Sequence, residues 1–375
     1  MVEVGAGVGM ASLAWSGLGG EVMAVLDIDA EVLGGYRALN PGVPANRAYV
    51  LSAEAVGWLR HPAAVLGVSL HCQPFSTLPR EEQKGSGWWD ARSWGFHEVC
   101  HGLLKLPEEC RPKCGYSENL VTWTYALHLE ALDALLSVLR ACGYEVAVLC
   151  TTSEAHGDGQ TRWRSYVVFF QCGSGALQRF LGDPPRVRAP ILLGGPKGVL
   201  ASSSSNAAKA LYLDPARVHS NLRRERRRSL FTVVAHDYNG VSPCIVSSYG
   251  NIRHMPWGVY VDTNHPGARE HSLHLDEICL SSVRRLSVRE VGALSGLSVA
   301  EQQRLTGNPS WYRWLGAAVT KGAVTELLAA MCRAMGLPHT DVPPAETNQD
   351  HNSGQWQWEK QSDLCGAPFY KMRWR

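Results

Sequence analysis

Residues 63–76 read Ala63-Ala64-Val65-Leu66-Gly67-Val68-Ser69-Leu70-His71-Cys72-Gln73-Pro74-Phe75-Ser76. A short apolar run of this kind predicts a strand buried on both faces. Pro74 predicts a turn directly after it. The thiol of Cys72 then stands at the carboxyl edge of a sheet, where open α/β sheets bind ligands. A thiol there is a nucleophile when its surroundings favour the thiolate. A lone cysteine with no such surroundings is a small buried hydrophobe, so the neighbouring segments decide between the two.

Working outward, residues 2–4 form a short strand that runs into Gly5-Ala6-Gly7-Val8-Gly9 and a helical pattern to about residue 17. Glycines at such a junction let backbone approach a ligand at a helix N-terminus. The dinucleotide fingerprint asks for a further glycine where Met10 stands. The loop therefore suits a nucleoside cofactor without a pyrophosphate, or is merely a tight turn. Asp27 ends the second strand and is placed to bind ribose hydroxyls. Helical pattern follows over 30–39 until Asn40-Pro41-Gly42 breaks it. Residues 79–89 form a polar, Gly/Trp-rich loop, 93–106 and 127–142 are helical, and 144–149 and 165–170 are strands. Residues 115–119 read as a strand end or turn. The alternation predicts an α/β fold, a mostly parallel doubly wound sheet.

Composition shifts near Cys172. Residues 173–282 are rich in Gly, Pro, Ser, Arg and His, with short strand-like runs at 231–235 and 244–248, and read as a smaller, irregular, β-containing domain. The first domain spans 1–172, and 283–336 is a helical segment returning to it. Residues 337–375 are polar and read as a disordered tail. The net charge of +2 gives no global basicity, so any nucleic-acid signal is local. Eleven cysteines without repeated spacing fit a reducing compartment better than a disulfide framework. No signal peptide and no membrane-length apolar stretch is expected.

Three further motifs carry chemistry. Ser117-Glu118-Asn119-Leu120 brings a carboxyl group to the same sheet edge, where it acts as general acid or base or is an ordinary exposed glutamate. In Gln160-Thr161-Arg162-Trp163-Arg164, alternation puts Gln160, Arg162 and Arg164 on one face, suited to a phosphate or carboxylate or to a solvated strand start. Arg223-Arg224-Glu225-Arg226-Arg227-Arg228 is a basic cluster that fits phosphates or guanine edges, with a solvated helix face as the alternative. Cys110 and Cys114 near Cys100 and His101 lack a clean second ligand pair, so no metal site is expected.

Taken in order, these segments resemble the C5-cytosine DNA methyltransferases. The likeness covers residues 2–172 and 283–335. It includes Asp90-Ala91-Arg92 at a helix start, Gly143-Tyr144, Arg285-Leu286-Ser287-Val288-Arg289-Glu290 and Gly316-Ala317-Ala318-Val319. The resemblance implies a Rossmann-like methyltransferase sheet with a target-recognition domain at 173–282. It implies S-adenosylmethionine as cofactor, held by Glu3, Gly5, Ala6, Gly7, Gly9, Asp27, Ile28, Ala318 and Val319. It implies Cys72 as the nucleophile on C6 of a flipped-out cytosine and Glu118 at N3 and the exocyclic amine. Arg162 would assist at the base carbonyl, and Arg164 would fix the nucleophile loop. The implied partner is double-stranded DNA, contacted by Gln73, Ser76, Gln160, Arg223, Arg224, Arg226, Arg227 and Arg228.

A monomer is expected, inside the cell: nuclear in a eukaryote, cytoplasmic in a bacterium. Departures cluster on the cofactor side. The family's Phe is Gly5 here, its Asn is Ala317, its Pro before the nucleophile is His71, and no acid ends the third strand at 48–51. Two other readings stay open: a family-like chain that binds nucleic acid without turnover, and a tRNA cytosine-5 methyltransferase.

Overall fold

The structure is a computed structural model that describes residues 1–44, 47–50, 63–70, 72–76, 87–192, 199–202, 211, 213–216, 231–235, 238, 240–247, 249, 258–262, 277–305, 307–341 and 355–375. Its frame is one nine-stranded sheet. The strands, in chain order, are β1 (Val2–Val4), β2 (Ala24–Asp27), β3 (Ala48–Val50), β4 (Val65–Val68), β5 (Cys114–Leu120), β6 (Tyr144–Thr152), β7 (Gln160–Thr161) and β8 (Trp163–Gln171). They continue with β9 (Phe231–Ala235), β10 (Ser242–Pro243), β11 (Gly258–Asp262), β12 (Val283–Arg285), β13 (Trp356–Lys360) and β14 (Phe369–Trp374). The large sheet runs β13-β14-β6-β8-β5-β4-β1-β2-β3. Its β3, β2, β1, β4 and β5 are parallel, and β8 lies antiparallel between β5 and β6.

Both faces are buried, which is why these strands read as unbroken apolar runs. Tyr166, Val168 and Phe170 of β8 enter one core and Val167 and Phe169 the other. The helices are α1 (Met10–Gly17), α2 (Ala30–Leu39), α3 (Trp94–Lys105), α4 (Leu129–Ala141), α5 (Ala176–Gly182), α6 (Val288–Leu294), α7 (Val299–Gln302), α8 (Ser310–Ala317) and α9 (Lys321–Met335). Buried residues of α3 and α4 fill one core, and those of α1, α5 and α9 the other. This is the doubly wound arrangement expected. Segment 115–119 proves to be the middle of a full strand, paired with β4 on one side and β8 on the other.

Two expectations are corrected. Residues 356–374 are not a disordered tail: β13 and β14 pair antiparallel, and β14 adds to β6 in parallel, Lys371 opposite Cys150. Trp358 donates from Nε1 to Pro185 O at 3.0 Å, and Met372 is buried. The segment Ser310–Met335 is long and apolar enough, by length and composition, to cross a membrane. Here it is core: 72% of its most apolar window is buried, and Ala318 breaks it with an extended backbone (ψ 157°).

Beside the main sheet, β12-β11-β9 form a second, three-stranded sheet. The returning segment is tied to it. Arg284 makes a buried, two-pronged pair with Glu290 (2.9 and 2.8 Å), and Glu290 closes a capping box with Ser287 at the start of α6. Both Arg223–228 positions expected to contact DNA and His71 lie outside the described residues.

Candidate active site

Ser69 N donates to Val4 O (2.9 Å), and the chain then leaves the sheet at its carboxyl edge. Cys72 precedes a 3-10 turn, Gln73–Phe75, closed by Phe75 N to Cys72 O at 3.1 Å. Phe75 pegs this turn. Its ring is fully buried among Phe96, Trp123 and His128, with centroids 5.9, 5.5 and 5.6 Å away, and its carbonyl accepts from Thr122 Oγ1 at 2.6 Å. The Cys72 thiol is half-buried. Burial pushes its pKa above the usual thiol value, Arg164 pulls it down, Glu118 pushes it up, and Arg162 pulls it down. Gln73 is exposed at the turn and accepts from Arg92 Nη1 (3.3 Å), and Ser76 follows half-buried.

Glu118 lies on β5 and is buried. Burial raises its carboxyl pKa, opposed first by Arg164 and then by Arg162. Arg164 Nε stands 2.9 Å from Glu118 Oε1. The antiparallel register sets Leu120 opposite Arg164, so the guanidinium falls beside a carboxylate two positions along. Arg164 thus holds Glu118, and its charge also acts on the Cys72 thiol.

Arg162 is buried as well. Its Nη1 donates to Gly316 O (3.0 Å) and Ile245 O (3.2 Å), and its Nη2 to Ala317 O (3.2 Å). It is a buried clasp joining β7–β8 to the β10 region and to the end of α8, and its Nε is left without a hydrogen-bond partner among the described residues. Gln160 is 1% exposed: its Nε2 donates to Ser295 Oγ (3.1 Å) and its Oε1 accepts from Ile245 N (3.2 Å). That burial removes it from the expected DNA contacts. The same clasp brings in a residue the sequence did not point to. Cys244 Sγ lies 3.6 Å from Arg162 Nη1, so a second thiol neighbours the nucleophile's arginines. Its distance along the chain, 82 residues from Arg162, hid it.

On the cofactor side, Gly5 (φ 69°), Gly7 (φ 56°) and Gly9 (φ 82°) all take the left-handed conformation that favours glycine. Gly5 N donates to Leu26 O at 2.8 Å. A Cβ on Gly5 would fall 2.2 Å from Ser69 O, whereas one on Gly7 would meet nothing within 4 Å. Open space above Gly7 and the 49% exposed Ile28 fit a flat nucleoside laid over the loop. The acids fit less well. Asp27 accepts from Gly7 N (2.7 Å) and Asp29 N (2.9 Å), so it braces the loop from below.

Glu3 is buried and faces inward: Ser12 Oγ donates to it, and Tyr36 OH donates to Ser12 Oγ at 2.9 Å. Burial lifts its pKa to about 7. Glu3 is therefore corrected from cofactor ligand to internal support. Ala6 is buried within the loop, and Ala318 and Val319, half-buried and buried, lie at the break between α8 and α9. No metal-binding cluster occurs among the described residues.

A carboxyl-edge thiol, a Gly-rich first turn and a mixed seven-strand core extended by a hairpin define a Rossmann-like methyltransferase fold. The chain shares that fold with solved methyltransferases. The Dnmt2 methyltransferase of S. pombe is 17% identical with a TM-score of 0.65, the match covering 90% of this chain and 98% of that one. The Entamoeba histolytica methyltransferase EhMeth is 16% identical with a TM-score of 0.65, covering 88% and 97%. A putative DNA modification methyltransferase from an E. coli prophage is 14% identical with a TM-score of 0.51, covering 89% and 99%. No protein-family model and no curated protein matches the sequence.

Proposed function

We propose that this chain is an S-adenosylmethionine-dependent cytosine-5 methyltransferase that acts on DNA through Cys72. The observation that carries the proposal is the grouping of Cys72, Glu118 and Arg164 at the carboxyl edge, beside the open Gly7 turn. Cytosine C5 is a weak nucleophile. Addition of the Cys72 thiolate to C6 makes C5 enamine-like, and Glu118 holds N3 and the exocyclic amine as the ring accepts the electron pair. S-adenosylmethionine, when bound, supplies the electrophilic methyl group. Loss of the C5 proton to a base then expels the thiolate and restores the aromatic ring. Arg164 keeps Glu118 in place and favours the Cys72 thiolate. Gly5, Gly7 and Gly9 shape the cofactor turn, and Ile28 offers it an apolar face. The base must leave the duplex to reach Cys72.

A second reading, nucleic-acid binding without turnover, is favoured by one observation: Asp27 and Glu3 are already engaged inside the protein. Methyl transfer from labelled S-adenosylmethionine to duplex DNA and to tRNA separates these readings and identifies the substrate. Duplex DNA carrying 5-fluorocytosine traps a denaturation-resistant complex in wild type and none in Cys72→Ala. A trapped complex in Cys72→Ala, or no transfer to either substrate, rejects the assignment.

A further inference from the structure

The β13–β14 hairpin is not used by the chemistry above, yet it reaches the catalytic edge. Since β14 runs parallel to β6, and β6 ends at Thr152 opposite Trp163, the end of β14 and the start of β13 lie at the same sheet edge as Cys72. Three indoles are strung along it. Trp163, between Arg162 and Arg164, stands 5.9 Å from Trp356, and Trp356 stands 5.3 Å from its cross-strand partner Trp374. Trp374 is 55% exposed. Lys371 lies over the Trp163 ring at 5.9 Å. Arg373 and Arg375 share the single carboxylate of Glu359 (3.0 and 3.1 Å), which leaves a net positive charge. Residues 355–375 hold Lys360, Lys371, Arg373 and Arg375 against Glu359 and Asp363, an excess of +2, as large as that of the whole chain.

We propose that the Trp163–Trp356–Trp374 chain is a stacking platform for unpaired bases of the substrate polynucleotide, next to the extruded cytosine. The proposal rests on the functional reading above for its occupant. An exposed indole flanked by cations binds single strands because every base has a π-face and every link a phosphate; Trp374 is that exposed ring, and the half-buried Trp356 and Trp163 back it through edge-to-face contacts. A packed edge hairpin needs neither the exposed ring nor the surplus charge.

The test measures binding of wild-type protein to single-stranded DNA, to RNA of the same sequence, and to an abasic strand of equal length. Trp374→Leu keeps apolar bulk and removes the π-face, whereas Trp374→Phe keeps both. The Leu variant is expected to bind the base-bearing strand about tenfold more weakly, and the Phe variant within about threefold of wild type. The abasic strand is expected to bind weakly and to be indifferent to either substitution. Stronger affinity for RNA or for DNA identifies which strand the platform serves. Equal binding by the Leu and Phe variants, or equal affinity for abasic and normal strands, overturns the proposal. Thermal unfolding of each variant reports hairpin integrity separately. Methyl transfer is scored independently: tryptophan-dependent binding without transfer sinks the enzyme reading alone, and transfer without tryptophan dependence sinks the platform alone.

Discussion

Arg164 and Glu118 form a buried ion pair across adjacent antiparallel strands, Nε 2.9 Å from Oε1, with side chains 11% and 9% exposed. A carboxylate so placed is costly without its partner. Arg164→Met is therefore expected to destabilise the fold by about 3 kcal/mol in urea unfolding, more than Glu118→Gln. Adding Glu118→Leu to Arg164→Met should recover part of the loss, because the orphaned charge is gone. A double variant no more stable than Arg164→Met alone would show that the arginine acts through other contacts.

The same arginine governs the nucleophile. Burial holds the Cys72 thiol high and the charge of Arg164 lowers it. Thiolate increases with pH, so alkylation of Cys72 by iodoacetamide should accelerate through the alkaline range. Arg164→Met removes the favourable charge and should move that limb to higher pH. A limb displaced to lower pH would refute the electrostatic role.

Gly5 decides a question raised by the sequence, where a family-like Phe at this position would be expected to improve cofactor binding. With φ at 69° and Ser69 O 2.2 Å from any Cβ, the site has no room for a side chain. Gly5→Ala should cost roughly 1–3 kcal/mol through backbone strain and collision, and Gly5→Phe more. Calorimetry should find no gain in S-adenosylmethionine affinity for either. Tighter binding by Gly5→Phe would show that the loop reshapes.

Glu3 makes stability depend on pH. Its carboxyl rises from 4.5 to about 7 on burial, so the folded state holds the proton more tightly than the unfolded one. The contribution is complete below about pH 4.5 and is lost as pH rises through 7, roughly 3 kcal/mol across the window. Glu3→Gln keeps the acceptor for Ser12 and cannot ionise. It should flatten the decline between these limits and be more stable than wild type at pH 8. The slope falls without vanishing, since Asp158, raised to about 6, acts in the same direction. An unchanged slope in urea titrations at several pH values would remove Glu3 as the cause.

The sheet and nucleophile turn were legible because strand burial and the Pro74 turn are local signals. The roles of Arg162 and Gln160 were not, because their partners Ile245, Ser295, Gly316 and Ala317 are remote in the chain. Alternation gave both residues a common face, but could not show that another segment covers it. The hairpin was obscured by its polar composition. Its period-2 pattern, Trp356-Gln357-Trp358-Glu359-Lys360, was present and was outweighed by the neighbouring Pro, Asn and Gln residues.

Strand β14 seals an edge of β6 that was made long before it. Lys371 pairs with Cys150, 221 residues earlier in the chain (371 minus 150). At ribosomal speeds of about 5–20 residues per second, that edge waits roughly 10–40 s for its cover. An open strand edge is a template for foreign strands. The nascent chain therefore passes through a long interval in which its half-built sheet can recruit the wrong neighbour, and its yield in a cell depends on what shields β6 during synthesis.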